Sequence, residues 1–424
     1  MSYLRNDAGI DFKTNVVDSL ADDSLANSWI NFSSFSNKKR SLGMEIELLV
    51  LDSNFNEVHE ADALIKQASL KGIKVEKECS ESMVELISDP GSGNEITKQL
   101  ASDYLALSEI AESIGLKILP IDYPLNNNFK PRIRSYKKYS IQKEILGDSF
   151  TYAGSVCGIH LHFDVQGNNK DILRINLLKL IDPLIVSVSS TTSNFYNGRF
   201  VQNWRLLTYR SFVYKDFKHH GGVTPLTKTF DDFVIQMNTL TNSFKQSYSG
   251  SEDINQYVLP LKGVWGSLRL KPEIPTIELR SAGSVPDFNF ISLFSQFFER
   301  FDYLIANNYV DLDALLIKLF KTNNFLEVSN RLDLITNLSI VDGLKSSEIR
   351  SYMETFLSFF KDDLLSSLFQ KLIDGKRSRD EIVQSSYLTI AEKYSLLHDL
   401  SIRSSSELLD DRVSFNNLIK LKTN

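Results

Sequence analysis

Cysteine is scarce in this chain: 2 in 424 residues, Cys79 and Cys157. Two thiols provide neither a disulfide framework nor a Cys-rich zinc site, and they read as reduced thiols. No apolar run reaches the length of a membrane span. The N-terminus carries Asp7, Asp11, Asp18, Asp22 and Asp23 and lacks the charged-then-apolar pattern of a signal peptide. The expectation is a cytoplasmic protein with no membrane partner. Positive charge is also short. A formal net charge of −6 offers no general electrostatic reason to bind nucleic acid. The Gly-x4-Gly-Lys-Ser/Thr phosphate cradle and the His-Glu-x-x-His helix are both missing, as are internal repeats and low-complexity blocks.

What is present is an ordinary globular composition, 42% hydrophobic and 24% charged. The stretch Gly43-Met44-Glu45-Ile46-Glu47-Leu48-Leu49-Val50-Leu51 has the period of a β-strand. Alternation puts Glu45 and Glu47 on one face and Met44, Ile46, Leu48 and Val50 on the other. Leu49 and Leu51 continue the Glu face, so two carboxylates head a segment apolar enough to be buried. Such a pair repels and loses hydration unless a cation or a strong donor holds it. An edge strand with two solvated Glu residues remains open on this stretch alone.

Further along, residues 1–36 read as a helical, partly irregular lead-in. Helices are predicted over 61–72 and 95–114, each closed by a glycine, with an extended stretch over 75–88 and a strand over 116–122. Residues 126–143 form a basic loop with Lys130, Arg132, Arg134, Lys137, Lys138 and Lys143. It reads either as a mobile cover over an anionic ligand or as a solvated positive loop. A strand over 157–165, a buried helix over 171–193 bent at Pro183, and an arginine-bearing segment with Arg205 and Arg210 follow. Strands return at 263–271 and 275–281. Beyond Phe290 glycine and proline almost vanish and Leu, Phe and Ile recur at helical spacing. The expected division is 1–36, a catalytic α+β part over 37–285, and a helical part over 286–424 packed directly on it. His219-His220, His59 and His398 read as bland. Cys157 reads as a small buried residue, and Trp204 and Trp265 as core.

Four other stretches echo the first. His160, His162 and Asp164 share a strand face, as do Glu278 with Arg280, and Arg269 with Lys271. Glu78 and Glu85 sit at odd spacing, so both point inward only if a bulge or break intervenes. A polar face of Glu and His beside Arg suits divalent cations and phosphate. The carboxylate-rich set favours a hard cation, Mg2+ with Mn2+ as a substitute, and zinc on the His160–His162 pair is the runner-up.

The Gly43-x-Glu45-x-Glu47 strand resembles that of the glutamate–cysteine ligase and carboxylate–amine ligase superfamily. Its relatives in fold include glutamine synthetase. In order, Glu78-Cys-Ser-Glu-Ser-Met-Val-Glu85, Cys157-Gly158-Ile159-His160-Leu161-His162, Asn194–Arg199 with Tyr209-Arg210, and Pro275-Thr276-Ile277-Glu278-Leu279-Arg280 continue the resemblance. Asn330-Arg331 and Asp374-Gly375 echo it faintly. Three departures stand out. Ile159 replaces Thr, Ile121-Asp122-Tyr123-Pro124 stands for Gly-Thr-His-Pro, and the arginine segment holds a short insertion.

The resemblance implies an α+β fold with a curved, mostly antiparallel sheet carrying the active site and helices flanking it. It implies ATP-dependent joining of a carboxylate and an amine, by default glutamate and cysteine, through an acyl phosphate. By similarity Glu45, Glu47, Glu85, His160 and Glu278 hold magnesium. Arg280, Arg210 and Arg269 grip the phosphoryl group or substrate carboxylate. Glu78 and His162 are further ligands or supports. The competing readings are a ligase-fold binding protein without turnover and a zinc hydrolase. A homo-oligomer is compatible with the sequence.

Overall fold

The computed structural model describes residues 41–410 apart from 166–168, 218, 251–252, 259–264, 272–273 and 308–309. The expected lead-in over 1–36 therefore lies outside the described residues.

The first strand, β1, runs Leu42–Asp52 and is buried along nearly its whole length. Antiparallel neighbours enclose it. β3 (Met83–Ile87) lies on one side and β5 (Gly158–Asp164) on the other, with β4 (Leu116–Leu119) pairing its far end. The main path through the sheet reads β2-β3-β1-β5-β9-β8, where β2 is Val75–Lys77, β8 Leu268–Lys271 and β9 Thr276–Gly283, and β6 (Asn194–Tyr196) and β7 (Arg199–Val201) pair separately. A two-residue side-chain period sorts these strands into an apolar and a polar face.

The apolar face carries Met44, Ile46, Leu48, Ile159, Leu161, Ile277 and Leu279. Three long helices cover it: Gly93–Ser113, Asn169–Ser189 with Pro183 inside, and Phe288–Ala306. Ser92 and Glu95 form a capping box that starts the first of these, satisfying two otherwise orphaned backbone donors. Six aromatic residues of the third, Phe288, Phe290, Phe294, Phe297, Phe298 and Phe301, are at most 1% exposed. Four further helices, Leu312–Phe320, Phe325–Val341, Ser347–Phe360 and Asp363–Gln384, continue the same core. The last helix, Ile390–Leu409, packs along the helices Gly93–Ser113 and Phe288–Ala306, with Ser401 at the Tyr104 hydroxyl and Ser404 accepting from Phe288 N–H. Its first turns bring Tyr394 and Leu397 to Leu49 and Leu51.

Several expectations need correction. The extended stretch over 75–88 is two strands parted by a turn at Glu78–Ser82. The turn is paired elsewhere: Glu81 N–H donates to the Arg132 carbonyl and Arg134 N–H to that of Cys79, both at 2.9 Å. The basic loop is thus strapped to this turn, and its end folds into a helix, Lys137–Leu146. Arg134 is buried, donating from Nε to the Glu78 carbonyl (2.8 Å) and from Nη1 to Asp62 (2.6 Å). The helix Phe230–Gln246, capped by Thr229 and Asp232, was not anticipated. His220 is not solvated; it is buried against Tyr214, Phe217 and Phe244, and burial pushes its pKa down to about 3.

Candidate active site

Strand register assembles the polar face. Glu47 lies directly opposite Glu85, Glu45 opposite His160, and His162 opposite Glu278, which faces Arg269 on its other side. A bulge between Ile159 and Leu161 loosens the ladder beside His160. The turn at 78–82 is the break that the odd spacing demanded. Glu78 joins Glu47 and Glu85 in a group whose ligand atoms lie within 4.8 Å of one another. Two more such groups exist among the described residues: Glu45 with Glu85 and His160, and Glu45 with His162 and Glu278.

The groups differ in what neutralises them. Glu278, fully buried, accepts two hydrogen bonds from Arg269 (2.6 and 3.0 Å) and one from Arg280. Burial opposes its charge, but the Arg280 and Arg269 guanidiniums outweigh burial and hold its carboxyl well below the usual range. Glu45 accepts from Lys271 at 2.7 Å and lies 3.0 Å from His160 Nδ1. Here too burial works upward, and the hydrogen bonds of His160 and His162 carry the carboxyl downward. His160 itself is held near 3 by burial and by Arg280, so it is a neutral imidazole at neutral pH.

The Glu47–Glu78–Glu85 group behaves in the opposite way. Burial, then the charge of Glu78, pushes Glu47 up to about 8. Burial and the neighbouring carboxylates push Glu85 well above its ordinary value, and burial raises Glu78 as well. Two buried acids and a half-buried one sharing one space do not all ionise readily without a cation. An all-oxygen donor set of this kind fits a hard divalent ion. Of the second imidazole nitrogens, Nε2 of His160 is buried without a hydrogen bond, while Nε2 of His162 lies 3.1 Å from Glu45. These residues therefore fit Mg2+ or Mn2+.

The arginines do not all gather where the sequence suggested. Arg269 and Arg280 do. Arg210 instead pairs with Asp333 of the helix Phe325–Val341, away from the carboxylates. Arg205, which sequence reasoning passed over, takes the inner place. It is fully buried and donates from Nη1 to the carbonyls of Arg280 (3.1 Å) and Ser281 (3.4 Å), with Nε and Nη2 unpartnered. Gly158, whose N–H donates to Glu47, is glycine because the Arg205 guanidinium fills the space of a side chain there. The signal for Arg205 was a glycine heading the His strand, legible only once its neighbour is known. Lys271 was the other omission. Its alternation with Arg269 was visible, but not its reach to Glu45.

Cys157 is buried and its thiol is pushed far up by burial, the behaviour of a packing residue. Trp265 stacks on Tyr209 with ring centres 4.1 Å apart.

An antiparallel sheet with a polar face of acids, imidazoles and guanidiniums defines an α+β architecture, and the comparisons show which family carries it. The model of Glutamate-cysteine ligase family 2 (GCS2) matches residues 41–316, and the chain belongs to that family. It is 23% identical over 261 residues to a putative glutamate–cysteine ligase 2 of Thermobifida fusca. That match covers 59% of this chain and 60% of the relative. In fold it is similar to a bifunctional glutathione synthetase from Pasteurella multocida, with a TM-score of 0.59 and 14% identity, covering 91% of this chain and 55% of that one. It is also similar to the glutamate–cysteine ligase of Francisella tularensis, solved in complex with AMP. There the TM-score is 0.50 at 14% identity, covering 88% and 89% of the two chains. The chain thus spans under two thirds of the first two relatives' lengths. The sheet is of the glutamine synthetase-like type that the sequence suggested. No described helix is long and apolar enough to cross a membrane.

Proposed function

We propose that this protein joins a carboxylate to an amine at the expense of ATP, by way of an acyl phosphate, with ADP and phosphate as products. The observation that carries the reading is the meeting of two opposite arrangements on one sheet face. A triad of acids that takes no hydrogen bond from a cationic side chain among the described residues, Glu47, Glu78 and Glu85, lies beside Arg205 and Arg280, which keep unpartnered buried N–H groups. The first suits a hard cation and the second an anion, and a metal–nucleotide supplies both.

In this reading Glu47, Glu78 and Glu85 hold one Mg2+, and Glu45, His160 or His162, and Glu278 hold another. Bound there, magnesium neutralises charge on the nucleotide phosphates. Arg280 and Arg269 orient the transferring phosphoryl group, and Arg205 offers planar donors to the substrate carboxylate or to phosphate. Lys271 donates a hydrogen bond to Glu45, whose carboxyl the two imidazoles carry downward. Burial of Glu45, Glu47, Glu85, His160, His162 and Glu278 excludes water, which would hydrolyse the acyl phosphate. Residues 37–285 form the catalytic part and 286–424 its helical support. Glutamate and cysteine are the default pair, and the setting is cytoplasmic. A zinc hydrolase draws little support, since no candidate group among the described residues unites His160 with His162. The Francisella enzyme's AMP complex is in keeping with a nucleotide site.

The test is isotopic. With an oxygen-18-labelled acid substrate, label should appear in inorganic phosphate. Unlabelled phosphate, or AMP and pyrophosphate as products, would overturn the acyl-phosphate route.

A further inference from the structure

The three acids Glu47, Glu78 and Glu85 are not set in place by equal means. Glu47 and Glu85 lie directly opposite one another on β1 and β3, so the strand ladder aims both. Glu78 has no such guide. β2 ends at Lys77, whose partner is Val84, and the turn carries Glu78 beyond the ladder. There strand alternation no longer decides where a side chain points. The Glu78 carboxylate accepts the N–H of the next residue, Cys79, at 3.2 Å. The main chain that carries both is held by Arg134.

The Arg134 side chain donates from Nε to the Glu78 carbonyl at 2.8 Å, and its main-chain N–H donates to the Cys79 carbonyl at 2.9 Å. One residue thus grips two successive carbonyls. The guanidinium is 4% exposed and is itself pinned. Its Nη1 donates at 2.6 Å to Asp62, in the first turn of the helix Ala61–Leu70. Asp62 also pairs at 3.0 Å with Lys77, the last residue of β2. The strap is clamped to the turn by packing as well. Ser80 and Ile133 form a β-bridge, and the space of a side chain at Gly154 is filled by Ile133, Ser80 and Pro131.

The choice of acceptor matters. A guanidinium bonded to the Glu78 carboxylate would neutralise it and compete with a cation for its oxygens. Bonded to the carbonyl, it fixes the main chain and leaves the carboxylate to the group shared with Glu47 and Glu85. A planar fork suits the task, since Nε and Nη1 reach acceptors on two different elements at once. We propose that Arg134 is a positioning residue of this acid group. It aims Glu78 at the cation that the three acids share, and so sets the affinity of the site for a hard divalent ion. The inference rests on the metal reading given above. Residues that orient a metal ligand without touching the metal typically carry about 10–100-fold in metal affinity. Arg134 thereby gives the basic stretch over 126–143 a third role, as a buttress of the metal site.

The test measures Mn2+ binding to the full chain without nucleotide, by calorimetry and by the EPR signal of free Mn2+, with melts in chelator to compare folding. The triad's Mn2+ is identified as the one that Glu47→Gln releases. Glu78→Gln should weaken that ion at least about tenfold, and Arg134→Gln by a similar factor. The double variant should bind no more than about twofold more weakly than Glu78→Gln alone, because the anchor then has no ligand to aim. Should Arg134→Gln fail to fold, Asp62→Asn loosens the same guanidinium by changing a side chain that is 56% exposed. It should weaken the ion about threefold on its own and not at all beside Glu78→Gln. Wild-type affinity in the folded variant, with Glu78→Gln weakened, would overturn the positioning role alone. Losses that multiply in the double variant would place the effect of Arg134 elsewhere and overturn it too. No Mn2+ released by Glu47→Gln, or full binding in Glu78→Gln, would instead bring down the metal reading, and the positioning role with it.

Discussion

Two acidic groups stand within one sheet face and are built on opposite principles. Around Glu278 and Glu45 every charge is answered, by Arg269, Arg280 and Lys271. Around Glu47, Glu78 and Glu85 none is answered by a cationic side chain in hydrogen-bond contact among the described residues, and the acids shift upward together. A compensated cluster belongs to the fold's own stability. An uncompensated one has a cost that only a ligand removes. The difference separates residues whose loss should cost stability as well as turnover from residues whose loss should silence the protein without unfolding it.

The sharpest way to break this contrast is to neutralise one acid of each group. Glu47→Gln should lower ATP turnover by several orders of magnitude. In metal-free buffer it should leave Tm unchanged or raise it, because one of three repelling acids is gone. Glu278→Gln should also abolish turnover, but it strands the buried Arg280 guanidinium and the part-buried Arg269 one and should cost about 3–5 kcal/mol of stability. Urea melts of both variants without divalent ions check this; equal destabilisation would dissolve the distinction.

The second measurement is pH. Glu47 titrates at about 8 in the fold against an ordinary 4.5. Between those values the folded form binds more protons than the unfolded one, so stability falls as pH rises through this window. Metal-free Tm should therefore drop from about pH 5 to pH 8, and Mg2+ should restore most of the loss at the alkaline end. Mg2+ binding near neutral pH should release protons, measurable by calorimetry in buffers of different ionisation heat. A flat metal-free profile, or no proton release, would contradict the uncompensated triad.

Arg280 belongs to both sides of the comparison, since it pairs with Glu278 while its Nε has no partner. Arg280→Lys keeps the charge and loses the planar fork, so kcat should fall about 10²-fold or more with little change in Km for ATP. Near-normal turnover would reduce Arg280 to a counter-ion of Glu278. A smaller effect is expected at Gly158, where a methyl group would displace the Arg205 guanidinium. Gly158→Ala should cost about 1–3 kcal/mol and raise the Km of the acid substrate. The smallest effect should come from Cys157→Ala, which removes one buried sulfur. A kcat within about twofold of wild type fits a packing residue, and loss of activity would reopen a role for the thiol.

Much of this site was legible in the chain because strand alternation is a local property. Glu45 with Glu47, His160 with His162, and Glu278 with Arg280 share a face by the geometry of the extended backbone alone. The order of those strands then carried the family resemblance and with it the fold. Other features depend on partners far away in sequence. The inward turn of Glu78 is stabilised by the strap at 132–134, more than fifty residues away. Arg205 rather than Arg210 reaches the centre because Asp333, in a distant helix, holds Arg210 aside. Periodicity fixes which face a side chain takes, since each residue's direction follows from its neighbours' backbone. Whether that face meets a counter-charge, a repelling acid or empty space is a matter of register and packing, and only the tertiary structure decided it.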